Sequence, residues 1–190
     1  MLNRFSVMRH AESKANAAGI IVSRIENDRR GDYGLTEHGR QQALAAAQSC
    51  GLPEDTVIYA SDFARASETA EIVRAHLGTR DDVVIAEALR ERRFGQWEGS
   101  ATSNYARVWA ADEIDPYHAE GGVEPAAAVL DRATELITEL ERRHSGRDIL
   151  LVSHGDTLQI LQAGFLNVDP SRHRSLPHLA TAEIRRLNLS

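Results

Sequence analysis

The chain has 190 residues, of which 42% are hydrophobic and 26% charged, with a formal net charge of −6. That length suits a single domain with a substantial core, and the composition excludes a disordered chain. The acidic balance argues against a dedicated nucleic-acid binder, and the lone Cys50 excludes disulfide frameworks and cysteine-rich zinc sites within one chain. Lys14 is the only lysine among 22 basic residues, so nearly all positive charge here is guanidinium. The first ten residues become charged too soon for a signal peptide, and no later run is long enough to span a bilayer. The expectation is a cytoplasmic enzyme with neither a membrane nor a nucleic-acid partner.

In chain order, residues 5–8 read as a strand, followed by polar residues and a helix from about Ser13. Thr36 is the expected cap of a helix running through Leu44 and Ala47. Residues 57–60 form a second strand. Asp62 is the expected cap of a helix whose Ala66, Thr69, Ala70, Val73 and Leu77 recur every three or four residues, with Gly78 as its stop. Residues 83–85 give a weak third strand. Residues 100–122 lack periodicity and hold Tyr105, Trp109, Tyr117 and His118; they read as a partly helical, substrate-side excursion over the sheet edge and the active site, expected to set selectivity together with the loop 17–33. A stripe of Val129, Leu130, Ala133, Leu136, Ile137 and Leu140 predicts another helix, ending near Gly146. Ile149-Leu150-Leu151-Val152 is the strongest strand signal, a continuous apolar run typical of a central parallel strand. Asp156 is the expected cap of the helix carrying Leu158, Leu161 and Phe165, and residues 182–187 close the sheet at an edge. This alternation predicts a three-layer α/β/α sandwich with a mainly parallel central sheet. With no repeat and no linker, it is one domain over residues 1–190.

In open parallel sheets, ligands bind beyond the carboxyl ends of the strands. Two histidines stand at such ends: His10 after the first strand, preceded by Arg9, and His154 after the strongest one. Arg65 falls in the first turn of the helix after the second strand. Two imidazoles and two guanidiniums are thus aimed at one rim. Arginine forks pair with phosphate oxygens, and neighbouring cations lower a histidine's pKa, keeping it neutral and nucleophilic. Attack by His10 would give a phosphohistidine that water hydrolyses. The leaving alkoxide needs a proton, and Glu91, after the third strand, is the candidate acid.

The residues also resemble a known family. Arg9-His10-Ala11-Glu12-Ser13 is similar to the RHGE[ST] signature of the histidine phosphatase (phosphoglycerate mutase-like) superfamily. Gly34-Leu35-Thr36-Glu37-His38-Gly39 through Gln42-Ala43 resembles its L-T-x-x-G-x-x-Q-A element, and Ser61 through Arg65-Ala66 to Thr69-Ala70 its S-x-x-x-R-A-x-x-T-A element. Leu89-Arg90-Glu91 through Gly95-Gln96-Trp97-Glu98-Gly99 resembles L-x-E…G-x-W-E-G, and Val152-Ser153-His154-Gly155 resembles V-S-H-G. Five such pieces in the family's order are a specific signal.

The resemblance implies a phosphoglycerate mutase-like fold and a phosphatase that needs neither metal nor cofactor. It implies that Arg9, Arg65 and His154 bind the phosphoryl group with His10, that Glu91 donates the proton, and that Ser13, Asn16 and Gly155 lie at the substrate. Ser23, in the loop 17–33, is a further candidate substrate contact. A small phosphorylated substrate is the expected partner, and a homodimer is a family-level expectation. Two departures stand out: Ala11 replaces the family's usual glycine, which would tighten the pocket, and Glu120-Gly121-Gly122-Val123-Glu124 matches the family's G-G-E-S element loosely.

The alternatives are a phosphoglycerate mutase, which usually carries a longer insertion than residues 100–121, and an inactive phosphate-binding module. Zinc deaminase, serine-triad and P-loop chemistries lack their required partners in this sequence. Trp97, Trp109 and Tyr105 read as packing residues, and His38, His76, His118, His144, His173 and His178 as surface or packing residues.

Overall fold

The computed structural model describes residues 2–28 and 31–187. Its strands are β1 (Arg4–Arg9), β2 (Val57–Ala60), β3 (Val84–Ile85), β4 (Asp148–Ser153) and β5 (Ile184–Arg186). Its α-helices are α1 (Lys14–Ala18), α2 (Ile25–Asp28), α3 (Glu37–Ser49), α4 (Ala64–Leu77), α5 (Tyr105–Ile114), α6 (Ala126–Arg143) and α7 (Gly155–Phe165). The sheet order is β3-β2-β4-β1-β5, parallel except for β5, which runs antiparallel along β1. The apolar run of β4 is therefore the central strand, buried on both faces.

Strand alternation divides the core in two. Phe5, Val7, Val57, Tyr59, Ile149 and Leu151 face α6 and α7, meeting Leu136, Leu140, Leu158 and Phe165. Met8, Ile58, Ala60, Leu150 and Val152 face the other way, onto Ala43 and Ala47 of α3 and Ala66, Ala70 and Val73 of α4. Helices on both faces make the expected three-layer sandwich.

Local signals account for most helix ends. Ser13 caps α1 in a capping box with Asn16, Thr36 accepts from Gly39 N at the start of α3, and Gly78 ends α4 at φ 71°. Two expected caps are corrected. The cap of α4 is not Asp62, which pairs with Arg90; Phe63 holds the cap position, and Asp28 Oδ2 takes the Ala64 N–H at 2.5 Å. Asp156 does not cap α7, which begins after His154; its carboxylate is buried among other side chains. Helix α6 ends at Arg143, three residues before Gly146. The segment 100–122 contains two 3-10 turns flanking α5. Only Val108 and Asp112 of α5 are buried, so no apolar stripe marked it in the sequence.

Candidate active site

The site follows from strand register. Arg9 pairs with Ser153 across β1 and β4, so both strands end at the same level, and His10 and His154 emerge side by side one residue later. Their ring centroids are 5.1 Å apart. Ser61, just beyond β2, completes the rim through Ser61 N–H to Val152 O at 3.0 Å.

His10 is 3% exposed. Its Nδ1 lies 2.8 Å from Ala11 O, and its Nε2 lies 3.2 Å from Arg65 Nε. A carbonyl can only accept and a guanidinium can only donate, so Nδ1 carries the proton and Nε2 the lone pair. Burial first, then the charges of Arg65 and Arg9, hold the imidazole well below its ordinary pKa. The sequence argument credited the arginines; desolvation is the larger cause. His154 Nδ1 accepts from the same Arg65 Nε at 3.2 Å, its Nε2 donates to Ser61 Oγ at 2.9 Å, and burial followed by Arg65 lowers its pKa as well.

The two arginines are tied at one end and open at the other. Arg65 Nη2 donates to Val22 O at 2.9 Å, while Nη1 is buried without a partner among the described residues. Arg9 Nη1 donates to Leu179 O at 2.9 Å and lies 2.8 Å from His178 Nε2, while Nε is buried without a partner among the described residues. An unsatisfied buried donor costs about 1–3 kcal/mol, and two of them beside a neutral imidazole suit an anion that accepts from both. Gly155 belongs here for its missing side chain, since a Cβ would lie 3.2 Å from Arg9 Nε.

Glu91 is 8% exposed and lines the same cavity of about 320 Å³ as His10, Arg9 and Arg65. Its Oε1 accepts from Arg92 N at 2.9 Å and Thr157 Oγ1 at 3.2 Å. Burial and then Asp156 push its pKa up, against Arg65 and Arg9. A carboxylic acid so placed is suited to donating a proton.

The remaining expected residues separate. Ser13 and Asn16 line the cavity, but the Asn16 Oδ1 turns back onto Ser13 N and Oγ. Ser23 is not brought to His10: its hydroxyl donates to Glu98 Oε2 at 2.6 Å, and it lines a neighbouring hollow of about 600 Å³ that Glu91 also borders. The Ala11 methyl packs into the core with Leu35 and Ala43 and does not tighten the pocket. Sequence reasoning missed Tyr105, Trp109, Asp156, Arg174 and His178, all of which line the cavity. No motif marks them; the excursion and the 3-10 segment Pro170–Ser175 bring most of them in.

The motifs explain themselves as supports for the His10 loop. Gly39 leaves room for Glu12 O, which a Cβ would approach to 2.0 Å. Gln42 Oε1 takes Glu12 N–H at 3.0 Å, Thr69 Oγ1 takes Ala11 N–H at 3.1 Å, and Glu98 holds Ser23, Arg24 and Asn27.

A strand-end histidine pair framed by arginines, with a buried acid nearby, has the chemistry that phosphoryl transfer needs, on a three-layer α/β/α scaffold. The family model described as "Histidine phosphatase superfamily (branch 1)" matches residues 5–190, and the chain belongs to that superfamily. It is 31% identical over 166 residues to a metal-independent phosphoserine phosphatase of Arabidopsis thaliana, covering 82% of this chain and 65% of the plant protein. It is 29% identical over 180 residues to a glucosyl-3-phosphoglycerate phosphatase of Mycolicibacterium vanbaalenii, covering 88% and 76%. The solved structure of a mycobacterial glucosyl-3-phosphoglycerate phosphatase superposes with a TM-score of 0.81 at 26% identity, covering 96% of this chain and 88% of that one. This is the family the motifs led one to expect, and the relatives named above are phosphatases.

Proposed function

We propose that this protein hydrolyses small phosphomonoesters through a phosphohistidine on His10. His10 Nε2 attacks phosphorus as the ester P–O bond breaks, and Glu91 gives its proton to the departing oxygen. Water then attacks the phosphohistidine, Glu91 takes its proton, the P–N bond breaks and phosphate leaves. Arg9 and Arg65 hold the phosphoryl oxygens, whose negative charge grows toward the transition state, and His154, with its own nitrogens engaged by Arg65 and Ser61, orients Arg65. The observation that carries this reading is the His10 tautomer, locked by Ala11 O so that Nε2 is free of a proton between two guanidiniums with unmet donors.

The substrate reading is a small phosphorylated acid. Arg174 stacks 3.6 Å from the Trp109 ring, lines the cavity, and has no ion pair among the described residues; it suits a carboxylate on the leaving group. The names of two relatives, phosphoserine phosphatase and glucosyl-3-phosphoglycerate phosphatase, denote substrates of that kind. The setting is read as cytoplasmic, with no nucleic-acid or membrane partner and a homodimer as the assembly. No helix among the described residues is long and apolar enough to cross a membrane.

A phosphomonoester panel assayed with wild type and His10→Ala tests the reaction. O-Phosphoserine and O-phosphoethanolamine, which differ by one carboxylate, test the substrate class. Phosphoserine should be preferred about tenfold or more, a margin that Arg174→Gln removes. Interconversion of 3-phosphoglycerate in place of phosphate release would favour the mutase alternative.

A further inference from the structure

A buried charge chain lies behind the proposed acid, and the reaction as written does not use it. Arg92 and Asp112 have side chains that are 0% exposed. The Arg92 fork meets Asp112 at 2.6 and 2.7 Å, and its Nε donates to Glu124 O at 2.7 Å. The same Nη1 reaches Asp156 Oδ2 at 3.3 Å, and Asp156 Oδ1 takes the Trp109 indole N–H at 2.8 Å. Asp156 thus anchors on α5 and on Arg92 while itself lining the His10 cavity.

This chain interlocks with Glu91 through two pairs of sequence neighbours. Glu91 precedes Arg92, and Asp156 precedes Thr157. Arg92 binds Asp156 by its side chain and Glu91 Oε1 by its backbone N–H; Thr157 reaches Arg90 O at 2.9 Å and Glu91 Oε1 at 3.2 Å. Oε1 takes the Arg92 N–H and a share of the single Thr157 hydroxyl proton, which also points at Arg90 O, and Oε2 takes no hydrogen bond among the described residues. An ionic network of this kind in a dry interior is stiff, and removing one partner is costly because it leaves the other charge buried and unpaired. A polar assembly of that kind, set against the cavity wall, calls for a functional explanation.

We propose that Asp156 is a positioning residue for the leaving-group proton: the Asp112–Arg92–Asp156 chain fixes the two groups that grip Glu91 Oε1, so that Oε2 is the atom presented to the ester oxygen. The inference rests on the reading of Glu91 as the acid. Charge supports the geometry. Glu91 is faced by Arg9 of β1 and Arg65 of α4, which favour its carboxylate, by Tyr105 of α5, and by Asp156 of α7, which disfavours a second negative charge. Against the desolvation of its burial, Asp156 is kept ionised by His173, Arg92 and Arg174.

The test compares Asp156→Asn with wild type on two esters. A p-nitrophenyl ester departs as a phenolate with little need of a proton, whereas an alkyl ester such as phosphoserine needs one. Asp156→Asn should lower kcat/KM for the alkyl ester by about 100-fold, within the range of general acid catalysis, and for the aryl ester by no more than about threefold. Its alkaline limb should move to lower pH, because Glu91 loses the neighbour that favours its protonated form. Thr157→Val, which removes one grip on Oε1 with little change of shape, should show the same selectivity for the alkyl ester and guards against an Asn variant that folds poorly. Equal losses on both esters, or an unmoved alkaline limb, would overturn the inference. A phosphoenzyme trapped on His10 in the same variants would show that the nucleophile's role stands even then.

Discussion

The nucleophilic role proposed for His10 depends on two neighbours of opposite character at its two nitrogens. Ala11 O fixes the proton on Nδ1, and Arg65 Nε, by donating, leaves Nε2 as an acceptor. Low basicity then keeps the ring neutral where an exposed histidine would be protonated. The signs set the pH profile of kcat/KM. His10 must be deprotonated and its pKa lies well below 6.5, so the acid limb falls below that value. Glu91 must be protonated and its pKa lies above 4.5, so the alkaline limb falls above that one. A profile whose acid limb sits at or above pH 6.5 contradicts the assignment of His10. Glu91→Gln keeps the size of the side chain and removes the proton; it should lower kcat on alkyl esters by about 10²- to 10⁴-fold.

Among the elements, α4 carries Arg65, and its start is held from a distance. Asp28 supplies the cap across 36 residues of sequence. Asp28→Ala should reduce unfolding free energy by about 1–2 kcal/mol, as cap removals do, measured by urea denaturation. Helix α3 presses its first turn on the loop after His10, with Gly39 against Glu12 O. Gly39→Ala forces that backbone apart and should cost about 1–3 kcal/mol of stability; phosphatase activity should fall more than the lost folded fraction explains, because the displaced loop carries His10. An unchanged kcat in the folded fraction would separate α3 from the site.

These elements also show what a sequence can and cannot disclose. The strand-end histidines were legible because apolar runs and a short polar turn locate a strand's carboxyl end. The layers were legible because Val129 to Leu140 recur at helical spacing whereas the β4 residues form a short continuous apolar run. Asp62 and Asp156 were misread because an acidic residue at a helix start is ordinarily a cap. Their true partners come from elsewhere in the chain: Asp62 meets Arg90 28 residues on, and Asp156 meets Trp109 and Arg92, 47 and 64 residues away. Trp109 and His178 were taken as packing or surface residues because neither the excursion nor the segment after Pro170–Ser175 carries a motif.

At the scale of the whole molecule, the sheet sets the depth of the site and the crossover segments set its walls. Register places both histidines at one level, while α5 and the 3-10 segment Pro170–Ser175 bring Trp109 and Arg174 over them. Chemistry and selectivity therefore sit on different parts of the chain. Exchanging wall residues should alter which ester is preferred while phosphoryl transfer to His10 persists.

The most direct test of that transfer is to trap it. Wild-type protein mixed with phosphoserine and quenched within milliseconds in alkali should carry one base-stable, acid-labile phosphoryl group, mapped by mass spectrometry to the peptide containing His10. His10→Ala should carry none. A phosphoryl group on another residue, or turnover by wild type with no phosphoenzyme at any quench time, would contradict the account.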